Sequence, residues 1–109
     1  MALNNQYPLK YGVLYALIKT GEEMSLESVM EMLKPVFGKE KQFTKKNIRF
    51  HLDSMTCTGM AEMFNERFDE DGNVTANFKV TPFGIERSNL LPDEWQIDLG
   101  VFDKHQKSS

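Results

Sequence analysis

Thr44-Lys45-Lys46-Asn47-Ile48-Arg49-Phe50-His51-Leu52-Asp53-Ser54-Met55, followed by Gly59-Met60-Ala61-Glu62, is the stretch on which the fold of this 109-residue chain turns. Thr44 suits a helix cap, because its hydroxyl can accept from an amide that the first turn leaves without a partner. Phe43 before the cap can pack on Ile48, the fourth helical position, as a hydrophobic staple requires. At about 100° per residue, Ile48, Leu52 and Met55 share one stripe with His51 at its margin. Lys46, Arg49, Phe50, Asp53 and Cys57 point largely the other way, so the helix has a core face and a presenting face. Gly59 supplies its stop.

Upstream, Tyr7 to Thr20 places Tyr11, Leu14, Ala16, Leu17 and Ile18 near helical spacing, with Pro8 in the first turn and Gly21 as a left-handed stop. A few extended residues lead to Ser25, a cap for a second helix whose Val29, Met30 and Leu33 line one face until Pro35 kinks or ends it. Gly38 closes that segment, and a polar loop, Lys39 to Gln42, leads into the third helix. Downstream the period changes to two. Met60 to Phe68 and Val74 to Thr81 alternate around Asp69-Glu70-Asp71-Gly72-Asn73, which predicts a β-hairpin. Thr81-Pro82-Phe83-Gly84-Ile85 begins a last short helix to about Leu91, with threonine as cap and proline in the first turn. From Pro92, the alternation of Trp95, Ile97, Leu99, Val101 and Phe102 predicts an extra strand or an arm, with a frayed end after Lys104. The expected organisation is a single α+β domain over 1–109, with a core at about 7–91 and a C-terminal extension at 92–109.

The chain carries 13 Lys and Arg against 16 Asp and Glu, a net charge of −3, but the distribution is uneven. Residues 1–38 total −1, residues 39–51 total +4, and residues 52–109 total −6. A basic island of Lys39, Lys41, Lys45, Lys46 and Arg49 thus sits in an acidic chain, and its potential matters to a partner within about 8 Å at physiological salt.

This order of helix, extended residues, helix, turn, helix, hairpin and helix resembles a winged-helix domain. The quoted stretch around residues 44–62 looks like the recognition-helix signature of MarR, ArsR and PadR type bacterial transcriptional regulators. Thr81-Pro82-Phe83-Gly84-Ile85 is similar to the Thr-x-x-Gly that follows their second wing strand. The likeness covers about Tyr7 to Leu91 and implies a third helix in the major groove of double-stranded DNA. Residue by residue, it and the side-chain chemistry assign Lys45 and Lys46 to phosphates, Asn47 and Arg49 to base edges, and Lys39 and Lys41 to flanking backbone. Thr44 caps the reading turn, and Phe50 meets either a thymine methyl or a protein partner. The acidic tip Asp69-Glu70-Asp71 departs from the family, in which wings bring Arg or Lys to DNA. It favours a rival reading, a winged helix used as an adaptor or antirepressor that binds another protein. A homodimer is expected through the first helix and the tail, burying Tyr7, Tyr11, Tyr15, Trp95 and Phe102 against a copy.

Other chemistries find little support. The longest apolar stretch, Gly12 to Ile18, falls far short of the roughly 20 residues a membrane span needs, and no signal pattern opens the chain. The lone Cys57 cannot form an internal disulfide, and the expectation is a reducing cytoplasm. With only His51 and His105, no zinc spacing exists. No phosphate loop, nucleophile elbow or dinucleotide fingerprint is present, so neither a cofactor nor catalysis is expected. The seven methionines suit an adaptable core.

Overall fold

The computed structural model describes residues 7–106 and consists of six α-helices, one 3-10 turn and a small antiparallel sheet. Helix α1 (Leu9–Thr20) ends at Gly21, whose φ of 68° lets its N–H reach the Leu17 carbonyl at 2.9 Å. Strand β1 (Met24–Ser25) follows, then α2 (Leu26–Phe37), where the Ser25 hydroxyl accepts from the Ser28 N–H at 3.1 Å. Pro35 does not end this helix, which runs two residues further. Proline forfeits only its own bond back to the Glu31 carbonyl, and the turn after it closes normally, the Gly38 N–H reaching the Lys34 carbonyl at 2.9 Å.

Helix α3 (Lys45–Cys57) starts as the sequence indicates. Thr44 Oγ1 accepts from the Asn47 N–H at 3.1 Å, and Ile48, Leu52 and Met55 are the buried stripe. Strands β2 (Ala61–Phe68) and β3 (Val74–Val80) form the hairpin, and β3 also pairs with β1, giving the order β1-β3-β2. Met24 lies opposite Phe78, and Ala61 opposite Val80. The extended residues before α2 are therefore a short edge strand. A bulge between Phe64 and Arg67, with Asn65 at φ 56°, bends β2 away from a regular edge.

Helix α4 (Pro82–Glu86) passes into a 3-10 turn (Arg87–Leu90). The Thr81 hydroxyl accepts from the Gly84 N–H at 3.0 Å and donates to the Gly59 carbonyl at 2.6 Å. A Cβ on Gly84 would stand 2.2 Å from the Met60 carbonyl oxygen, so only glycine lets α4 lie against the start of β2. The Thr-x-x-Gly pattern thus locks the end of the hairpin to the end of α3.

The tail corrects the expectation of a strand or arm. It forms α5 (Asp93–Leu99) and α6 (Phe102–Gln106), and residues 107–109, part of the expected frayed end, lie outside the described residues. Nor is it an appendage, because Trp95 is 0% exposed and belongs to the same core as Val13, Leu17, Leu33, Phe37, Leu52 and Phe78. Its ring meets Tyr7 and Tyr15 edge-on at 5.4 and 5.7 Å between centroids. The Tyr15 hydroxyl donates to Asp98, which also faces Lys19 at 3.5 Å. Burial and that carboxylate push the Tyr15 phenol above its ordinary range, and the same hydrogen bond holds Asp98 below its own. Ser88 Oγ, fully buried, lies 2.7 Å from His105 Nε2 and ties α6 to the 3-10 turn.

Candidate nucleic-acid interface

Thr44 positions the proposed reading turn by capping α3, and Lys46 projects into solvent from its second residue. Lys39 and Lys41 are exposed in the preceding loop, and Phe50, one turn beyond Lys46, is 65% exposed. These four side chains form the open part of the presenting face.

The other three candidates are engaged within the chain. Lys45 Nζ lies 3.1 Å from Asp69 Oδ2 and 3.5 Å from Glu27 Oε1, between the hairpin tip and the first turn of α2. The Asp69 carboxylate raises the Lys45 ammonium above its usual range. Asp69 also organises its own turn, its Oδ1 accepting from the Asp71 and Asn73 N–H groups at 2.9 Å each. The Asn73 amide, and then Lys45, hold its carboxyl below the ordinary value. Asn47 Nδ2 donates to the Gln42 carbonyl at 2.9 Å, closing the loop onto α3. Arg49 Nε donates to Asp53 Oδ1 at 2.8 Å, and Nη1 to the Val74 carbonyl at 3.0 Å. Its guanidinium stands 5.6 Å from the centre of the Phe78 ring. Arg49 is a strut between α3 and the tip end of the wing, its Nε and Nη1 engaged within the chain.

Sequence reasoning did not find Asp69 as a partner of Lys45. The two lie 24 residues apart, and only the hairpin brings them together. The Arg49–Asp53 pair does carry a sequence signal, opposite charges four apart on a helix.

From Phe50 inward, Tyr11, Leu14, Phe50, Met55, Met60 and Leu90 line an open, mostly apolar groove of about 370 Å³ between α1, α3 and the 3-10 turn. His51 lies in it, half-buried, its imidazole held below the ordinary range by burial and then by Lys10. Cys57 is exposed. Among the described residues no group of three or more His, Cys, Asp or Glu side chains could hold a metal ion, and no helix is long and apolar enough to cross a membrane.

No protein-family model matches the sequence, and no curated protein matches it either. The fold does have a counterpart. It is similar to the crystal structure of a proposed transcriptional regulator, TA0346, from Thermoplasma acidophilum, with a TM-score of 0.55 over 96% of this chain and 99% of that one. At 12% identity the likeness is one of fold, an α+β arrangement of the winged-helix kind.

The expected homodimer surface needs correction at two residues. Trp95 and Tyr15 are already enclosed by their own chain. Tyr7 and Tyr11 are partly buried against the core and Phe102 is half-buried, while Ile97 of the tail and Leu90 of the 3-10 turn before it stay exposed.

Proposed function

We propose that this chain is a winged-helix regulator of transcription that binds double-stranded DNA with the first turns of α3 in the major groove. The observation that carries this reading is the capped, basic opening of α3, where Lys46 stands free in solvent beside Phe50 and behind Lys39 and Lys41. Cations at that position neutralise phosphates, and unpaired N–H groups of a helix start favour the same anions. Lys46, Lys39 and Lys41 serve the backbone and Phe50 a thymine methyl. Lys45, Asn47 and Arg49 join in only where the duplex outcompetes Asp69, the Gln42 carbonyl and Asp53. Two copies, joined through α1 and the exposed part of the tail, would present two such helices about 34 Å apart, the spacing of successive major grooves on one face.

The test is a titration of duplex DNA at several salt concentrations. Binding through three or more lysines weakens steeply as salt rises, and a flat response, or equal loss with Lys46→Ala and with a distant surface lysine, would remove this reading. One observation favours the rival use as an adaptor or antirepressor. The acidic tip folds back on Lys45 and presents negative charge beside the helix a duplex would have to approach. Under that reading Phe50→Ala abolishes partner capture and Lys46→Ala leaves duplex DNA unbound as before.

A further inference from the structure

The wing face is divided into two halves of opposite charge, and the Lys45–Asp69 pair marks their boundary. On one side Lys46 follows Lys45 on α3, exposed, with exposed Lys41 in the loop before it; on the other Glu70 and Asp71 follow Asp69 at the hairpin tip, also exposed. A patch of this kind is complementary to itself. A rotation of 180° about an axis through the boundary lays each positive half on a negative one, which is the requirement for a closed two-fold contact.

The negative half is more than an acidic tip. Phe68, 74% exposed, and Val74, directly opposite it across the hairpin, are solvent-facing apolar side chains on the same strands. Glu27, Asp69, Glu70 and Asp71 line a cleft of about 490 Å³ together with Phe68, with four acids against the two cations Lys45 and Arg67. The excess of acids over cations there favours a cationic partner. Lys45, Lys46 and Arg49 of α3 line one further cleft, of about 360 Å³, together with Asp69, Asn73 and Val74 of the hairpin, so the two halves border each other across the seam between α3 and the hairpin.

We propose that a second copy of this chain docks on the wing face about a two-fold axis, Lys41 and Lys46 of each copy meeting Glu70 and Asp71 of the other. Phe68 and Val74 then pack on the first turns of α3 in the second copy, in place of solvent. The contact does not depend on the DNA reading, but it covers the surface that reading uses, so duplex and second copy exclude one another there. It is distinct from the association through α1 and the tail, whose apolar side chains lie elsewhere.

Sedimentation velocity on the full chain tests it. Association is expected to weaken about tenfold between roughly 0.05 and 0.3 M salt. Lys41→Glu with Lys46→Glu, or Glu70→Lys with Asp71→Lys, should each weaken it about tenfold or more, and an equimolar mixture of the two variants should restore it, because both contacts of the mixed pair then join opposite charges. Phe68→Ala should weaken association with the salt dependence unchanged. All five residues are exposed, and an unaltered thermal midpoint checks that each variant is folded. A chain that stays monomeric at all concentrations overturns the proposal. So does an association indifferent to these substitutions, which would place it on another face, or a mixture that fails to recover.

Discussion

Lys45 Nζ sits 3.1 Å from Asp69 Oδ2, so the first cation of α3 is held by the first acid of the hairpin tip. Exposed pairs of this kind are weak and screened by salt, and a phosphate can compete for the ammonium. Asp69→Asn keeps an acceptor for the turn amides and removes the charge. It should raise affinity for duplex DNA a few-fold and steepen the dependence of log affinity on log salt by about 1, as one further lysine reaches the backbone. Electrophoretic mobility shifts at several salt concentrations measure both. An unchanged slope would show that Lys45 stays out of reach of the duplex even when released.

Arg49 and Lys46 should separate cleanly. Arg49→Ala removes the hydrogen bonds to Asp53 and Val74 and the ring contact with Phe78, and should cost about 1–2 kcal/mol in urea unfolding. Lys46→Ala should leave stability unchanged and lower the DNA salt slope by about 1. A destabilisation by Lys46→Ala equal to that of Arg49→Ala would contradict these assignments.

Trp95 is a core residue contributed by the tail. Trp95→Ala should cost about 3–5 kcal/mol, through lost burial and the cavity left between Tyr7 and Tyr15. Chemical denaturation followed by far-UV circular dichroism reads it, and a cost under about 1 kcal/mol would show that the helix can leave without disturbing the rest.

Gly84→Ala drives a methyl group to 2.2 Å from the Met60 carbonyl oxygen, a backbone atom that no rotamer change can move. The expected loss is about 2–3 kcal/mol or more. Gly59→Ala, where φ is +82° and the new carbon would be 4.0 Å from the nearest neighbour, should cost about 1–2 kcal/mol from backbone strain alone. Thermal midpoints of the two variants should rank in that order.

His51 carries a pH dependence. Its imidazole is held below the usual value by burial, so the folded chain prefers the neutral ring, and below about pH 6.5 the unfolded chain binds the proton more readily. The stabilising contribution is complete above that pH and is lost as pH falls from there through the folded value. Between about pH 7 and about pH 5 the thermal midpoint should fall, and His51→Gln should make the fall shallower. Identical slopes for both chains would show that His51 titrates as it does in water.

The elements legible in the sequence are those whose signals are local. Thr44 and Ser25 cap the helices they precede, Ile48, Leu52 and Met55 form the stripe, and the switch to alternation after Gly59 marks the hairpin. The tail was misjudged because Trp95, Ile97, Leu99 and Val101 satisfy a period of two. Pro92 followed by Asp93 and Glu94, acids in the first turn of a helix, was the competing signal, and Trp95 with Asp98 and Leu99 has the helical spacing that decides it. At the candidate site the residue types were legible but not their engagement. Lys45 with Asp69, and Arg49 with Val74, are joined by the fold across 24 and 25 positions.

The hydrogen bond from Tyr15 to Asp98 spans 83 positions and has a bearing on biosynthesis. As the chain leaves the ribosome, α1 emerges with Val13, Leu14 and Leu17 ready for burial, yet the helix that closes over Tyr15 follows 83 positions later. Until then the nascent polypeptide carries an uncovered apolar surface of the kind chaperones bind, and a chain that stops short of Trp95 would yield material destined for proteolysis.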